Sequence, residues 1–438
     1  MQALFYTLGC KVNQYETQAM MRCMAENGYD TGEYLPGSPD IGDGVIVLNS
    51  CTVTGESDRK LRQILHRCRR ENPCAVLVLT GCMPQAFPEE AAGFDEADIV
   101  LGNAARAALP RYVGRFLELG RRIVDIPAHG KTFENLSIDS FQGRTRAFVK
   151  IEDGCDRFCA YCVIPRARGR VRSKPLDALQ SELQALAARG YREIVLVGIN
   201  LTAYGKDIGA DLCDTVEAAC AVDGIDRVRL GSLEPDCLTP AVIDRLASPA
   251  CAGLCPQFHL SLQSGCDATL SRMRRRYTTD EYRQVCQHLR AAFPGCALTT
   301  DVMVGFPGES QAEFELSRRF VEEIGFARVH VFAYSRRAGT PAATAPGQIS
   351  RAEKARRAAL MSAAAAAGRD AFAAAHVGRT VAVLVETRED SGDALGYTPD
   401  YLPVRIQAAG DRLPEPGVIL NVRLTRASAG VCTGVPEP

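Results

Sequence analysis

Short apolar runs of strand length alternate with helical stretches along most of the chain. The alternation begins with a strand-like run at Leu4–Leu8 and a helical pattern at Gln14–Glu26, and it continues to about residue 125. It restarts near Arg146 and passes through six further strand-like runs. Strands that alternate with helices form parallel sheets covered by helices. The first series therefore predicts an N-terminal parallel α/β sandwich, and the six units of the second predict a partial (β/α) barrel.

The pattern changes in the last part of the chain. Residues 350–375 are rich in Ala and Arg and contain no Pro, which predicts one long connecting helix. Beyond it, β-like runs separated by Gly and Pro predict a small antiparallel β-barrel. We therefore expect an N-terminal domain at 1–126, a linker at 127–145, a partial barrel at 146–349, a connecting helix at 350–375 and a β-barrel at 376–438.

The composition excludes several other classes of protein. Apolar residues make up 46% and charged residues 24% of the 438 residues, which is typical of a globular protein and not of a disordered chain or a coiled coil. The longest apolar runs are far below the roughly 18 residues that suggest a membrane span. No export signal precedes the first strand, so we expect a cytoplasmic protein. Its 18 cysteines are then expected to be thiols or metal ligands and not a disulfide framework.

Three cysteines follow the first strand of the second series with the spacing Cys155-x-x-x-Cys159-x-x-Cys162. Three thiolates in such a loop can ligate three irons of a 4Fe-4S cluster, which leaves the fourth iron open to another ligand. A structural zinc ion is the alternative, but it needs a fourth ligand, and no His lies in this segment. The spacing therefore favours an iron–sulfur cluster.

Cys10, Cys51 and Cys82 each follow a predicted strand of the N-terminal domain. Parallel strands end at one edge of a sheet, where α/β folds bind their ligands. Three cysteines at this edge could hold a second cluster that also has an open iron. Alternatively, each could be a small buried residue, as we expect for the other cysteines of the chain. The residues alone leave both interpretations open.

Basic residues alternate directly after the cysteine loop. Alternate residues share one side of an extended segment, so this pattern predicts a basic strip that binds a phosphate backbone. A solvated helix face is the alternative. The candidate RNA-binding residues are Arg166, Arg168, Arg170 and Arg172.

Together, these motifs resemble those of the radical S-adenosylmethionine methylthiotransferase family, which joins a three-cysteine domain, a radical domain and an RNA-binding TRAM barrel. Residues 8–17, LGCKVNQYET, are similar to the opening of the branch that acts on threonylcarbamoyladenosine in tRNA. Residues 49–54, NSCTVT, and 80–82, TGC, match the other two cysteine motifs of the family. The resemblance covers essentially the whole chain.

The resemblance implies two 4Fe-4S clusters and S-adenosylmethionine as cofactors. The first cluster would bind S-adenosylmethionine at its open iron and generate the radical that removes hydrogen from adenine C2. The second would carry the sulfur, which another S-adenosylmethionine methylates. The ligands would be Cys155, Cys159 and Cys162 for the first cluster and Cys10, Cys51 and Cys82 for the second.

The strand ends of the predicted barrel carry candidate contacts for S-adenosylmethionine. Barrel enzymes bind ligands at the carboxyl ends of their strands. Small, amide and acidic side chains there suit an adenosine and a methionine ammonium group, although each could also be a turn or cap residue. The candidates are Gly198, Asn200, Ser232, Glu234, Gln263 and Asp301.

The implied reaction converts N6-L-threonylcarbamoyladenosine at position 37 of tRNA to its 2-methylthio derivative. Isopentenyladenosine tRNA and a ribosomal-protein aspartate, the substrates of the sister branches, are the alternatives. A non-catalytic iron–sulfur protein that binds RNA is a further alternative, which the open iron sites disfavour because electron carriers usually ligate every iron with protein. The implied partners are tRNA, an electron donor of the flavodoxin or ferredoxin type and a sulfur donor, without a membrane.

Overall fold

The computed structural model describes residues 1–134, 136–389, 392–407 and 415–437. These residues form an N-terminal unit, a central unit and a C-terminal barrel, in that order along the chain. No helix in these ranges combines the length and the apolar character needed to cross a membrane.

A parallel sheet covered by helices forms the N-terminal unit. Its strands are β1 (Gln2–Thr7), β2 (Asp30–Glu33), β3 (Val45–Ser50), β4 (Val76–Gly81), β5 (Ile99–Leu101) and β6 (Ile123–Asp125). Its helices are α1 (Lys11–Glu26), α2 (Gly55–Glu71), α3 (Cys82–Ala86), α4 (Pro88–Ala92) and α5 (Leu109–Leu119). The strand order is β2-β1-β3-β4-β5-β6, and every residue of β3 and β4 is buried between the two layers of helices. The predicted parallel α/β sandwich is confirmed.

An open barrel of parallel strands forms the central unit. The strands of this unit are β7 (Arg146–Lys150), β8 (Glu152–Asp153), β9 (Arg172–Ser173), β10 (Glu193–Val197), β11 (Arg227–Leu230), β12 (Ser232–Leu233), β13 (Gln257–Leu260), β14 (Ala297–Val304) and β15 (Arg328–Ala333). Of these, β8 and β9 form a separate antiparallel pair outside the barrel sheets. Its helices are α6 (Ile164–Arg168), α7 (Leu176–Ala188), α8 (Leu212–Cys220), α9 (Pro240–Leu246), α10 (Asp267–Arg272), α11 (Thr279–Ala292), α12 (Gln311–Ile324) and α13 (Pro341–Thr344). Short 3-10 helices lie at Asn103–Ala108, Leu201–Ala203, Pro235–Cys237 and Pro249–Cys251.

The barrel has the six strand positions that the sequence predicts. The pairing runs β7-β10-β11 in one sheet and β12-β13-β14-β15 in the next, and β11 and β12 are separated only by Gly231. Among the described residues β7 and β15 do not pair with each other, so the barrel is open between them. The predicted partial (β/α) barrel is confirmed.

A long helix leads into the C-terminal barrel. This helix, α14 (Arg351–Ala374), is capped by Ser350, whose side chain accepts a hydrogen bond from the Glu353 amide. The described residues after it form the strands β16 (Thr380–Arg388), β17 (Ala394–Tyr397), β18 (Pro403–Ile406), β19 (Ile419–Ser428) and β20 (Val431–Pro436). These strands form a closed barrel in the order β16-β17-β18-β20-β19, in which β18 and β20 pair in parallel and the other pairs are antiparallel.

The segment predicted as a linker packs against the central unit. Its described residues contain no helix or strand, but Leu136, Ile138 and Phe141 are buried in the core that the barrel shares with α1. This segment therefore fixes the N-terminal unit against the barrel. The predicted domain boundaries themselves stay predictions.

Candidate active site

Three free cysteines of the N-terminal unit surround the side chain of Asn13. Cys10 precedes α1, Cys51 follows β3, and Cys82 follows β4. The Cys10 thiol donates to Asn13 Oδ1 at 3.3 Å, and Asn13 Nδ2 lies 4.0 Å from Cys82 Sγ. Burial raises the pKa of the Cys51 thiol to about 12, and the neighbouring Cys82 thiol contributes to the same shift. Strand ends thus bring Cys10, Cys51 and Cys82, called the N-terminal trio below, to one edge of the sheet.

Glycines allow two of these cysteines to approach the sheet edge. Gly9 has a φ of +139°, and a Cβ there would lie 2.5 Å from Asn13 Oδ1 and 3.0 Å from Cys51 Cβ. Gly81 has a φ of +102°, and a Cβ there would lie 2.4 Å from the Ser50 carbonyl oxygen. Only glycine fits this backbone without strain. The Gly-Cys pairs of the two motifs therefore have a structural cause.

The other three cysteines lie in the loop between β8 and α6. The Cys155 amide donates to the Gly169 carbonyl at 3.0 Å, and the Cys162 amide donates to the Cys159 carbonyl at 3.0 Å. Burial, with a smaller contribution from the Cys159 thiol, raises the pKa of Cys155 and of Cys162 to about 12. These electrostatic effects require the sulfurs to be neighbours. Cys155, Cys159 and Cys162 are called the loop trio below.

Nitrogen donors face both trios. Arg275 Nη1 lies 3.4 Å from Cys159 Sγ, and Asn200 Nδ2 lies 3.9 Å from Cys155 Sγ. Donors aimed at sulfur stabilise its anionic form, which is the form that binds iron. In the described part of the chain no three His, Cys, Asp or Glu side chains converge as a single-ion site requires. In a four-iron cluster each cysteine binds a different iron, so the three sulfurs need not converge on a single metal ion. The donor chemistry of both trios fits such a cluster.

Two cavities adjoin the trios. The central cavity, of about 620 Å³, is lined by Gly9–Val12 of the N-terminal unit and by the barrel interior, including Gly198, Ser232 and Asp301. The loop cavity, of about 200 Å³, is lined by Cys162, Gln263 and again Asp301. Cys10 therefore borders one cavity and Cys162 the other. Asp301 borders both.

Five of the six predicted cofactor positions lie at or near the carboxyl ends of the barrel strands, and Asp301 lies inside β14. A Cβ at Gly198 would lie 2.7 Å from Glu152 Oε2, so the Glu152 carboxyl group packs directly against this glycine. The Asn200 amide donates to the same carboxyl oxygen at 2.7 Å. Glu234 forms an ion pair with Arg275, the donor that faces Cys159. The structure thus connects Asn200 and Glu234 to the loop trio, and it places Gly198, Ser232 and Asp301 at the central cavity.

Buried acceptors without a partner mark the same region. In the described structure Gln263 Oε1 and Glu152 Oε1 are buried and accept no hydrogen bond. Gln263 also has a φ of +66°, which is uncommon for a residue other than glycine. Burial raises the pKa of Glu152 well above its usual range. Unsatisfied buried acceptors are rare and suit a polar ligand that donates to them, as the amino groups of S-adenosylmethionine do.

Charged side chains in the central cavity come from neighbouring strands. His259 Nε2 lies 3.3 Å from Asp301 Oδ2, and His259 Nδ1 lies 3.1 Å from Thr299 Oγ1. Burial opposes the ionisation of Asp301, but the nearby His259 and His330 imidazoles lower its pKa overall. Asp301 is therefore an anion at neutral pH.

The predicted basic strip is wrong for two of its four residues. Arg166 and Arg170 are exposed, whereas Arg168 and Arg172 are buried. The segment is not extended, because its first part forms α6, and β9 begins only at Arg172. Arg168 forms ion pairs with Glu16 and with Asp153, so its charge is used inside the protein.

Arg168 belongs to a buried ion network that the sequence did not reveal. Burial alone would raise the pKa of Glu16, but Arg106, Arg168 and Lys150 lower it to about 2. The Lys150 ammonium lies 2.9 Å from Glu16 and 3.1 Å from Asp153. Arg168 Nε also lies 3.2 Å from Cys82 Sγ. The network therefore joins the N-terminal trio to the segment that carries the loop trio.

Other residues of the site also escaped the sequence analysis. Arg275 and Glu152 had no local signal, because the chain brings them to the loop trio only through the fold. Asn13 had one: it is the third residue after Cys10, the position from which a side chain can bond the residue that caps a helix.

Comparisons with known proteins identify relatives for each part of the chain. The model of the Radical SAM superfamily matches residues 149–321, that of an uncharacterized protein family, UPF0004, matches residues 2–102, and that of the TRAM domain matches residues 374–436.

Several relatives match almost the whole chain. The threonylcarbamoyladenosine tRNA methylthiotransferase MtaB of Bacillus subtilis is 34% identical over 97% of this chain and 93% of its own. The protein of the same name from Thermotoga maritima is 35% identical over 93% of this chain and 92% of its own. A tRNA-2-methylthio-N(6)-dimethylallyladenosine synthase of Pelotomaculum thermopropionicum is 32% identical over 98% of this chain and 96% of its own.

A solved structure shares the fold. The radical S-adenosylmethionine methyltransferase TsrM of Kitasatospora setae, with a tryptophan substrate and an S-adenosylmethionine analogue bound, superposes with a TM-score of 0.58. The match covers 78% of this chain and 75% of that one at 14% identity, so it bears on the fold alone.

Proposed function

Because the chain belongs to the radical S-adenosylmethionine methylthiotransferases, we propose that it converts N6-L-threonylcarbamoyladenosine at position 37 of tRNA to its 2-methylthio derivative. One observation carries the proposal: one cysteine of each trio, Cys10 or Cys162, borders a cavity, and Asp301 lines both cavities. Adenine C2 held beside Asp301 would be within reach of both sites. A methylthio transfer needs this, because carbon activation and sulfur delivery act on the same atom.

We assign one 4Fe-4S cluster to the loop trio and a second to the N-terminal trio. When bound, the clusters and S-adenosylmethionine supply the electron transfer, the hydrogen abstraction, the sulfur and the methyl group. The protein contributes the ligands and the donors around them. Arg275 and Asn200 donate toward the loop trio, and Arg168 and Asn13 donate toward the N-terminal trio.

We assign the binding of S-adenosylmethionine to the carboxyl ends of the barrel strands. Gly198 lines the central cavity, and Gln263 Oε1 has no hydrogen-bond partner among the described residues and can accept a hydrogen bond from an amino group. The Asp301 carboxylate offers a counter-charge for an ammonium group. The full proposed set is Gly198, Asn200, Ser232, Glu234, Gln263 and Asp301.

We assign tRNA backbone contacts to Arg166, Arg170 and the C-terminal barrel. Both arginines are exposed beside the loop trio, and TRAM barrels are RNA-binding modules. An electron donor of the flavodoxin or ferredoxin type and a separate sulfur donor complete the proposed reaction. We place the reaction in the cytoplasm, where tRNA is found and where thiols such as the cysteines of this chain stay reduced.

Dimethylallyladenosine in tRNA, the isopentenyladenosine named above, is the second candidate substrate. Relatives of that branch match the chain at similar identity. The opening LGCKVNQYET favours the threonylcarbamoyl branch. Mass spectrometry of tRNA nucleosides from a strain that lacks the gene distinguishes the two. We expect loss of the 2-methylthio-threonylcarbamoyl nucleoside, with recovery when the gene is returned. Unchanged tRNA, or loss of the methylthio-dimethylallyl nucleoside instead, would contradict the proposal.

A further inference from the structure

Two basic side chains in the central cavity are not neutralised by the protein. Lys11 is the first residue of α1, Arg328 is the first residue of β15, and both line the cavity. Within the described residues, neither side chain forms an ion pair or a hydrogen bond. Lys11 Nζ lies 5.8 Å from the centre of the Phe148 ring. Its ammonium group therefore lies against an aromatic face and not beside a carboxylate.

Other arginines near the central cavity already have ion-pair or hydrogen-bond partners in the protein. Arg229 Nε donates to Glu193 at 2.9 Å, and Arg227 donates to the Ala382 carbonyl at 2.9 Å. Arg146 lies 3.7 Å from the same Glu193 and 2.6 Å from Glu386. Glu193 and Glu386 are therefore already paired with these arginines and not with Lys11 or Arg328.

The two charges act on the same part of the cavity. Arg328 and His330 alternate on β15 and are exposed to the cavity, whereas Val329 between them packs against the core. Burial lowers the pKa of His330, and Arg328 and Lys11 lower it further. Lys11, Arg328 and His330 all line the central cavity. The carboxylate opposite His330, Asp301, already faces His259.

The substrate of the proposed reaction carries a negative charge, which complements the two cations Lys11 and Arg328 of the central cavity. A threonylcarbamoyl group bears a free carboxylate, whereas a dimethylallyl group is a hydrocarbon. N6 and C2 flank N1 on one edge of adenine, so a base that presents C2 near Asp301 also directs its N6 substituent into the central cavity. We propose that Lys11 and Arg328 bind the carboxylate of the threonylcarbamoyl group and so select this substrate. This inference rests on the proposed function.

The test compares two anticodon stem–loops that differ only at that carboxylate. One carries threonylcarbamoyladenosine and the other its methyl ester, which lacks the charge and is larger by one methyl group. We expect kcat/KM of the reconstituted enzyme, followed by mass spectrometry of the methylthio product, to favour the acid by about 10- to 100-fold. Arg328→Gln and Lys11→Gln should each reduce that preference by about 10-fold or more, mainly by slowing the acid, and Arg328→Lys should retain part of it.

The acid-over-ester ratio separates binding of the carboxylate from damage to the fold. Lower stability slows both substrates equally and leaves the ratio unchanged. Arg319→Gln, an exposed arginine of α12 outside the cavity, is the matched control and should keep the full preference. Equal use of acid and ester by the wild-type enzyme would overturn the inference and leave the proposed function standing. So would an unchanged preference in both glutamine variants. Failure of the wild type to modify either stem–loop would overturn the proposed function, and the inference with it.

Discussion

Nitrogen donors from distant parts of the chain face a sulfur in each trio. Arg168 reaches Cys82 from the central unit, and Arg275 reaches Cys159 from the end of the α10 region. Hydrogen bonds to ligand sulfurs tune the potential of an iron–sulfur cluster and hold its ligands in place. Each trio therefore depends on the correct docking of another segment.

The division of labour between the trios is testable with single substitutions. Cys159→Ala should reduce formation of 5′-deoxyadenosine to background, because it removes a ligand of the loop trio. Cys51→Ala should leave that product near the wild-type level and abolish the methylthio nucleoside. Both products are quantified by mass spectrometry after anaerobic reconstitution. Cys74→Ala, at an exposed free cysteine, is the control and should change neither product. If both trio variants lost only the methylthio nucleoside, the assignment would be wrong.

Two glycines with similar backbones test how the cysteine loop is held. Gly154 and Gly190 have φ values of +93° and +88°, so alanine strains the backbone equally at both. A Cβ at Gly154 would lie 2.0 Å from the Arg170 carbonyl oxygen, whereas a Cβ at Gly190 meets nothing within 4 Å. We expect Gly190→Ala to lower the free energy of unfolding by about 1–2 kcal/mol. Gly154→Ala should cost about 1–3 kcal/mol more because of the added clash.

The readouts are urea unfolding and iron content after reconstitution. Gly154→Ala should lose about four irons per chain, one cluster, while Gly190→Ala keeps them. Equal stability and equal iron in the two variants would show that contact between the loop and Arg170 does not hold the loop trio.

Local spacing predicted the cysteines, but it could not predict their surroundings. The loop trio spans eight residues, so the sequence spacing alone predicts that its three cysteines lie close together. The burial of Arg168 could not be predicted from local spacing, because its partner Glu16 lies 152 positions away and in another unit. Alternating arginines look the same whether they face solvent or a buried carboxylate, and so the predicted basic strip was only partly right.

At the level of elements, the predictions succeeded where an apolar face is buried. Helix α11 (Thr279–Ala292), one of the helices that cover the predicted barrel, buries Tyr282, Cys286 and Leu289, and its N-terminus is fixed by a capping box between Thr278 and Glu281. Strand β2 was not predicted, because its residues DTGE have no apolar pattern. It forms through backbone pairing with β1, a contact that side-chain periodicity does not encode.

An ion pair between His376, just after α14, and Asp400 of the C-terminal barrel makes the stability of this junction depend on pH. His376 Nε2 lies 2.6 Å from Asp400 Oδ2, and this hydrogen bond raises the pKa of His376 above its usual 6.5. A raised pKa stabilises the folded state fully below pH 6.5, and the contribution is lost as the pH rises through the folded-state pKa. His376→Gln should therefore lower the free energy of unfolding by about 1–2 kcal/mol at pH 6 and by less at pH 9.

Urea unfolding at the two pH values, followed by circular dichroism, measures this difference. His66→Gln is the matched control, because His66 also faces a carboxylate, that of Glu96, but its side chain is 68% exposed. Exposed pairs contribute little to stability, so the control should change little at either pH. An equal loss for His376→Gln at pH 6 and pH 9 would rule out the charged pair as the cause.

At the scale of the whole molecule, the N-terminal unit closes the open side of the barrel. At one edge, Glu16 of α1 pairs with Lys150 of β7. At the other, Arg337, which follows β15, lies 2.7 Å from Asp58 of α2 and donates to Thr52 at 2.6 Å. The unpaired edges of the barrel are thereby covered, and Cys10 of the N-terminal trio lines the cavity in the barrel interior. Sequence periodicity predicted the units but not this arrangement, which depends on single ion pairs between distant residues.

The C-terminal barrel covers another part of the central unit. Arg229 donates to the Pro399 carbonyl at 2.9 Å, and Arg227 donates to the Tyr397 carbonyl at 3.2 Å. Tyr401 also lines the central cavity. All three units therefore contribute to the space in which the substrate base is proposed to bind.

A competition between two substrates tests the central claim most directly. The anaerobically reconstituted enzyme is given S-adenosylmethionine, reductant, a sulfur source and an equal mixture of two anticodon stem–loops, one with threonylcarbamoyladenosine and one with dimethylallyladenosine. Mass spectrometry of the nucleosides then reports which base has gained a methylthio group. We predict conversion of threonylcarbamoyladenosine and none of dimethylallyladenosine. Conversion of dimethylallyladenosine alone, or cleavage of S-adenosylmethionine without modification of either base, would contradict the account.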